Sequence, residues 1–172
     1  MRSFDGLLLA DGYENATPAR VAQAAQVGRS TFYEHFSGRD DLLGKRLRTI
    51  LLPLAEAMSS PGVPPGLEGA LEHFWSNRLT TRALLTGRGR VVVLRALTAL
   101  IEERLSIASG KAKSALPPAL VAAQIAGGQL AMLEAWLSGR RHCGAAALAS
   151  GLHAVSIAAA QAMASLAKSD QV

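Results

Sequence analysis

Several residue types are scarce in this chain of 172 residues, and each shortage excludes some classes of protein. The one cysteine, Cys143, cannot form an internal disulfide and offers no cluster of metal ligands, so nothing in the sequence indicates secretion. Aromatic residues make up only 5% of the chain, and residues 91–94 are the one β-prone run. Residues 7–9 are too short an apolar run for the core of a signal peptide. These shortages favour a cytoplasmic all-α protein whose helices pack through small side chains.

The sequence contains none of the residue combinations that usually carry out catalysis. Catalysis needs paired carboxylates, a nucleophile beside a base, or metal ligands, and the sequence shows none of these patterns. Cys143 is next to His142 in a predicted turn, and adjacent residues rarely form a working dyad. The sequence therefore predicts a protein that is not an enzyme, with no catalytic residue, no metal site and no cofactor.

The most informative stretch is residues 17–36, TPARVAQAAQVGRSTFYEHF, whose apolar spacing predicts two short helices crossing through a tight turn. The expected inner face, including the residue that fills the turn, consists of Val21, Ala22, Ala25, Val27, Phe32 and Phe36. The expected outer face of the second helix consists of Arg29, Ser30, Thr31, Tyr33 and His35. All five outer side chains can donate hydrogen bonds when His35 is suitably protonated or oriented, which a helix in a DNA major groove requires. The pattern is that of a helix-turn-helix.

The order of residues over 12–47 resembles the operator-reading domain of the TetR (tetracycline-repressor) family of bacterial transcription regulators. The resemblance is carried by Gly12-Tyr13, Thr17 as a helix cap, Val21-Ala22, Ala25, Val27, Thr31-Phe32-Tyr33, His35-Phe36 and the run FSGRDDLL. Beyond residue 47 it rests only on length and helix pattern. It implies an all-α fold with an N-terminal helix-turn-helix DNA-binding domain at residues 1–47 and a C-terminal helical bundle at 48–172 for ligand binding and dimerisation.

The resemblance implies double-stranded DNA as a partner, in the form of a palindromic operator. The residues expected to contact it are Thr17, Gly28, Arg29, Ser30, Thr31, Tyr33, His35, Arg39 and Lys45. Arg29 is expected to contact a base or a phosphate, and the alternative is that it is only a solvated charge on the helix. The resemblance implies that Tyr33 and His35 contact phosphates. Lys45 fits a backbone contact and plain surface about equally, and Thr17 is first a helix cap. The net charge of +5 suits DNA, but the first 50 residues are nearly neutral, so the expectation rests on placement.

Three features depart from the family's pattern. Gln26 stands where the family has a turn glycine, so we expect it to adopt a left-handed conformation at a cost of about 1 kcal/mol. Gly28 replaces the usual serine cap, which costs only a few tenths of a kcal/mol. Residues 1–11 are shorter than the family's basic arm and first helix, which fits either a clipped start or a trimmed domain. This leaves open an alternative function, a repressor-fold dimeric module that binds a ligand or protein with weak or lost operator binding.

After the motif the chain changes to longer helical patterns. We expect helices over about 39–58, 67–79, 80–85, 91–107, 118–137 and 145–167. Pro53 is expected to kink or break the first of these, which acts as the connecting helix. Residues 59–66 and 109–118 are expected as loops, and the glycine-flanked Arg88 as part of a connection.

The last two helical segments are the expected dimer interface. The first is about as long as a membrane span, which takes roughly 20 apolar residues. Two glutamines and Glu134 argue against insertion of the first segment, as His153 and Gln161 do for the second. We therefore expect no membrane partner and a homodimer in which two copies pack these segments as a four-helix interface. The pair Gly127-Gly128 would allow close approach, and the resemblance implies the same interface.

In this family the bundle usually encloses an inducer pocket, which implies a small-molecule inducer. The candidate ligand-binding residues are His73, Trp75, Arg78, Arg95, Met132 and Trp136, each with a core or surface role as the alternative. Arg95, if buried, needs a carboxylate such as Glu134 or a ligand. Arg95, Thr98 and Glu102 also form a stripe that is typical of a solvated face. The function expected from the sequence is a ligand-responsive, homodimeric DNA-binding repressor.

Overall fold

The computed structural model describes residue 7 and residues 12–109, 116–139 and 143–169. Most of the stretch 1–11 and of the expected loop 109–118 lies outside these ranges. Residues 12–15 are helical, and the helices that follow are α1 (Pro18–Ala24), α2 (Arg29–His35), α3 (Arg39–Glu56), α4 (Leu67–Ser76), α5 (Arg78–Leu84), α6 (Gly87–Ser109), α7 (Pro118–Leu137) and α8 (Ala145–Ser169). The expected all-α fold is confirmed.

The two motif helices begin where local chemistry favours a helix start. Thr17 caps α1, because its hydroxyl oxygen accepts a hydrogen bond from the Arg20 amide at 3.4 Å. Pro18 then occupies the first helical position, where the absence of its N–H leaves no bond unmade. Gly28 precedes α2 in an extended conformation without a side-chain cap. Helices α1 and α2 pack against each other, which confirms the predicted helix-turn-helix.

Helix α3 connects the motif to the rest of the protein. Its buried leucines recur every three or four residues and are Leu43, Leu47, Leu51 and Leu54. Pro53 lies inside the last turn, and the helix ends three residues later at Glu56. Helix α3 runs without a break across residue 47, packs along α6, and thereby joins the motif to the bundle.

The bundle is built around α6 and α7. Helix α6 packs against both α3 and α7, whereas α8 packs against α4 and α7. Helix α7 has the bounds expected from the sequence, Pro118–Leu137. This arrangement gives the described residues one continuous hydrophobic core from Tyr13 to Leu152.

Two helix boundaries differ from expectation by three residues or more. The helix expected over 67–79 stops at Ser76, because Asn77 leaves the helical conformation and its side chain donates to the His73 carbonyl at 2.9 Å. Helix α6 begins at Gly87, so Arg88 lies in its first turn rather than in a connection. Gly89 permits this early start, since a Cβ there would clash with the Leu84 carbonyl oxygen. The β-prone residues 91–94 are helical because tertiary packing overrides local propensity.

Two helices are long and apolar enough to cross a membrane by length and composition alone. They are Pro118–Leu137, whose apolar window is 50% buried inside the protein, and Ala145–Ala162, which is 22% buried. The core helix of a soluble protein passes the same test, so this observation is weak evidence for a membrane span. The low burial of Ala145–Ala162 means that one chain leaves much of this helix uncovered.

Candidate nucleic-acid interface

Helix α2 presents its polar side chains to solvent because its aromatic side chains fix its inner face. Phe32 is 4% exposed, and its ring centroid lies 5.4 Å from those of both Tyr33 and Phe36. The side chains that the sequence assigned to the outer face are all exposed, namely Arg29, Ser30, Thr31, Tyr33 and His35. Phe32 thus anchors the helix while the opposite face stays open.

The exposed face of α2 carries hydrogen-bonding groups that are available to a ligand. Within the part of the chain that the structure describes, no hydrogen bond or ion pair engages the side chains of Arg29, Ser30 or Tyr33. A guanidinium, an aliphatic hydroxyl and a phenol on one helical face are donors that can reach base edges and phosphates in a major groove. Tyr33 is 57% exposed, so little of its ring is committed to packing.

The turn between α1 and α2 contains a strained residue. Gln26 has a φ of 56°, which is the left-handed conformation expected from the sequence. Val27 closes the turn by donating its amide to the Ala22 carbonyl at 3.0 Å. The side chain of Val27 does not fill the turn as expected, since it is 43% exposed. Ala25 is also exposed rather than internal, because α1 ends at Ala24 and Ala25 is its C-cap.

Replacing Gln26 with glycine should raise the free energy of unfolding by roughly 0.5–1 kcal/mol. An L-residue in the left-handed region costs about 1–2 kcal/mol, and the greater entropy of an unfolded glycine offsets only part of that gain. Chemical denaturation measures the difference. The β-branched control Gln26→Val should lower the free energy of unfolding. A glycine variant less stable than the parent would show that contacts of the Gln26 side chain outweigh the strain.

Lys45 ties the end of α2 to α3. Its ammonium group donates to the His35 carbonyl at 2.9 Å, pairs with Asp41 at 3.2 Å, and lies 5.3 Å from the centroid of the Phe36 ring. The Lys45 side chain is nevertheless 58% exposed. Lys45 therefore holds α2 in place and still presents positive charge to solvent.

Arg39 faces the protein instead of the outer face of α2. Its Nη1 atom donates to the carbonyls of Tyr13 at 2.8 Å and Glu14 at 2.6 Å. The guanidinium carbon lies 4.5 Å from the centroid of the Tyr13 ring, and the side chain is only 15% exposed. These contacts use much of its hydrogen-bonding capacity to hold residues 13–14 against the start of α3.

A further polar contact joins the motif to the bundle, and we call the set Tyr13, Glu14, Arg39, Asp40 and Arg88 the joint. The Tyr13 hydroxyl donates to one oxygen of Asp40 at 2.6 Å. The Arg88 guanidinium donates to the other oxygen from two nitrogens, at 2.9 and 3.1 Å. The sequence did not reveal the joint. A carboxylate such as Asp40 at a helix start is already accounted for by the helix dipole, and Arg88 was expected in a connection.

The charges of the joint stabilise one another. Burial and the neighbouring Asp40 carboxylate raise the pKa of Tyr13. Burial alone would raise the pKa of Asp40, but hydrogen bonds from Tyr13 and Arg88 together hold that pKa below its usual value. Because the folded pKa of Asp40 is lowered, its contribution to stability is present above the unfolded pKa and is lost as the pH falls through the folded value.

The candidate ligand residues divide among separate places. Trp75 and Trp136 have ring centroids 4.8 Å apart, and the Arg78 guanidinium lies 5.6 Å from the Trp75 ring. Trp136 is buried and donates its indole N–H to the Cys143 carbonyl at 2.9 Å. Met132 is half-buried on α7, facing α8, where a Cβ on Gly151 would lie 3.8 Å from its methyl group. Three of the six candidates therefore form an aromatic cluster between α4, α5 and α7.

The other two candidates lie on the surface. His73 is exposed, and its carbonyl and ring both face the Asn77 side chain. Arg95 is exposed and lines a groove of about 420 Å³ between α3 and α6, which contains none of the other five candidates. Because Arg95 is exposed, it does not need the carboxylate partner that a buried Arg95 would require, and Glu134 pairs with Arg90 at 2.6 Å. The residues that the structure describes include no group of three or more His, Cys, Asp or Glu that could hold a metal ion.

Two short helices joined by a tight turn, with polar side chains on the open face of the second, define a helix-turn-helix DNA-binding protein. A family model described as bacterial regulatory proteins of the tetR family matches residues 6–45. The sequence of residues 6–45 is therefore that of a TetR-family DNA-binding domain, which is the domain of a DNA-binding transcriptional regulator. This family is not one of enzymes, in agreement with the class expected from the sequence.

Three solved structures resemble this chain. The fatty acid degradation regulator FadR from Bacillus halodurans has 16% identity and a TM-score of 0.48, over 91% of this chain and 95% of that one. A tetR family transcription regulator from Shewanella sp. PV-4 has 20% identity and a TM-score of 0.46, over 95% of both chains. RolR without ligand has 20% identity and a TM-score of 0.47, over 95% of this chain and 94% of that one. No curated protein matches the chain.

Proposed function

We propose that this regulator is a ligand-responsive homodimeric repressor that binds a palindromic operator in the cytoplasm. The observation that carries the proposal is the open face of α2, where Arg29, Ser30 and Tyr33 are exposed and unengaged opposite the buried Phe32. A helix held this way can enter a major groove without first breaking contacts inside the protein.

The proposed DNA contacts divide into base reading and phosphate binding. Arg29, at the start of α2, is proposed to contact a base edge, since the first residues of a recognition helix reach furthest into the groove. The proposed remaining contacts, mainly to phosphates, are Thr17, Gly28, Ser30, Thr31, Tyr33, His35 and Lys45. Arg39 is proposed to support this surface by holding residues 13–14, because its side chain is turned toward them.

The proposed dimer interface is formed by α7 and α8. Exposed residues with a helical spacing follow one side of α7, namely Leu120, Gln124, Gly128, Ala131 and Ala135. Exposed small residues follow α8 in the same way, namely Ala147, Ser150, Ala154 and Ala158. Small side chains let helix backbones approach closely, and an apolar helix face of this length is usually covered by a partner. A second copy would cover both faces at once.

The proposed inducer acts by binding preferentially to the dimer in which the two helix-turn-helix motifs have their DNA-free spacing. A ligand releases the operator only if it binds the DNA-free spacing better than the DNA-bound spacing. The aromatic cluster of Trp75, Arg78 and Trp136 supports an apolar ligand body with an acidic group near Arg78. Arg95 is a second candidate for an acidic group, and its groove between α3 and α6 touches both the connecting helix and the bundle.

Operator reading is tested by Arg29→Ala and Tyr33→Phe. A duplex selected by the parent protein from a random library serves as the specific target, and a scrambled duplex of equal length as the control. Arg29→Ala should reduce the discrimination between the two by roughly 1–3 kcal/mol, because a bidentate base contact is lost. Tyr33→Phe should weaken binding to both duplexes alike, as a phosphate contact does.

Two results would contradict the proposal. If Arg29→Ala lowers the affinity for both duplexes equally, Arg29 does not read a base. A parent protein that enriches no sequence from the library would favour the alternative, a repressor-fold dimeric module that binds a ligand or protein with weak or lost operator binding.

A further inference from the structure

We propose that Arg88 is a positioning residue for operator binding, although it lies in the bundle and outside the matched residues 6–45. The inference goes beyond the proposed function and rests on its operator binding. Arg88 occupies the first turn of α6, yet both of its polar partners, Asp40 and Glu14, belong to the DNA-binding domain.

Asp40 is held from two sides. One carboxylate oxygen accepts the Tyr13 hydroxyl at 2.6 Å, and the other accepts two nitrogens of Arg88 at 2.9 and 3.1 Å. The three residues come from three separate segments, the helical residues 12–15, α3 and α6. Because Tyr13 is 4% exposed, it cannot turn away from Asp40 without disturbing the core. Arg88 therefore links α6, through Asp40, to both α3 and the segment that carries Tyr13.

Arg88 also contacts the segment just before α1. Its backbone amide donates to the Glu14 carboxylate at 3.3 Å. Next to it, Gly87 has a φ of 52°, and a Cβ there would lie 3.6 Å from the same carboxylate oxygen. Arg39 binds the backbone carbonyls of residues 13–14 from the other side. The position of α1, and of α2 packed on it, relative to α6 is thus fixed at the joint.

The ion pair between Arg88 and Asp40 contributes to the orientation of the DNA-binding helices more than to folding stability. The side chains of Arg88 and Asp40 are 59% and 31% exposed, so their ion pair adds little to folding stability. Operator binding, in contrast, depends on orientation, because an operator fits only one relative placement of the two α2 helices in the dimer. Apparent affinity falls with the fraction of molecules that hold that placement. An exposed ion pair at a joint between domains can therefore matter more for binding than for folding.

A matched control exists two residues along the same helix. Arg90 pairs with Glu134 at 2.6 Å, with side chains 39% and 32% exposed, but this pair joins α6 to α7 inside the bundle. Arg88→Ala should weaken binding to the selected duplex roughly five- to tenfold, whereas Arg90→Ala should leave it within about twofold. Both variants should shift the denaturation midpoint by similar small amounts.

Three outcomes overturn the inference. Similar effects of Arg88→Ala and Arg90→Ala on operator affinity would leave Arg88 a merely structural residue. Equal losses on selected and scrambled duplexes, with a salt slope lower by about 1, would make Arg88 a phosphate ligand. Strict additivity of Arg88→Ala with Asp40→Asn in operator binding would show that Arg88 does not act through Asp40.

The inference also has a readout that does not need an operator. Hydrogen–deuterium exchange over residues 12–45 should increase in Arg88→Ala and stay at the parent level in Arg90→Ala. If the parent protein enriches no DNA sequence, the proposed function fails, and this exchange experiment then decides the positioning role alone. Unchanged exchange in Arg88→Ala would overturn it.

Discussion

Replacing Gly128 with leucine is expected to convert the dimer into monomers and to remove tight operator binding with it. Gly128 lies in the exposed stripe of α7, and within one chain nothing comes within 4 Å of a Cβ built on it. The monomer can therefore accept a leucine, which also favours the helix over glycine by about 1 kcal/mol. The cost arises only where a partner backbone packs on this position.

The expected size of that cost follows from overpacking. Extra methylene groups in a close contact cost about 1–3 kcal/mol, and in a symmetric dimer the substitution occurs twice across one interface. Sedimentation equilibrium should show a dissociation constant higher by roughly two orders of magnitude, on the same basis. Operator affinity should fall in parallel, because a monomer contacts only one half-site.

A matched control is Gly69 on α4, an exposed helical glycine that also has nothing within 4 Å of its Cβ position. Gly69→Leu should leave the dimer mass and operator affinity at their parent values. A Gly128→Leu protein that remains fully dimeric would place the interface on another surface and contradict the assignment to α7 and α8.

Replacing Phe32 with alanine is expected to disorder the helix-turn-helix and abolish DNA binding. Phe32 is the buried anchor of α2 and contacts the rings of Tyr33 and Phe36. Truncation of a buried phenylalanine costs about 3–5 kcal/mol, and α2 is too short to persist without tertiary packing. Chemical denaturation and hydrogen exchange over residues 18–35 measure the loss, and a DNA-binding assay measures its consequence.

The control for this prediction is the neighbouring Tyr33, which is 57% exposed. Tyr33→Ala should weaken DNA binding while changing the free energy of unfolding by at most about 1 kcal/mol. Comparing variants at these two adjacent aromatic residues thus distinguishes the effect of core packing from the effect of a DNA contact. A Phe32→Ala protein with parental stability would show that the inner face of α2 is held by other residues.

The local features of the fold could be predicted because their causes lie within a few residues. Thr17 caps α1 through the amide three residues ahead, and Gln26 is left-handed because the turn geometry requires it. Helix α7 has its expected bounds, since proline favours its start and Gly139, with a φ of 72°, follows its end. These signals operate over one or two helical turns.

Assignments that depend on long-range partners were less successful. Glu134 was one possible partner for a buried Arg95, but Arg95 is exposed and Glu134 binds Arg90. Positions five residues apart on a helix point about 140° away from each other, so only the rotation of α6 against α7 decides which arginine reaches the carboxylate. Sequence periodicity defines the faces of a helix, but not which neighbour each face will meet.

The sequence by itself determined the helical class, the helix-turn-helix and the inner and outer residues of α2, since 3.6-residue periodicity and capping chemistry are local. Only the tertiary structure decided that Arg39 faces inward, that Arg88 starts α6, and that both meet Tyr13 and Asp40 in the joint. Tyr13 and Arg88 lie far apart along the chain. Their meeting depends on how α3 packs along α6, which is fixed by the combined burial of many apolar side chains rather than by any one local signal.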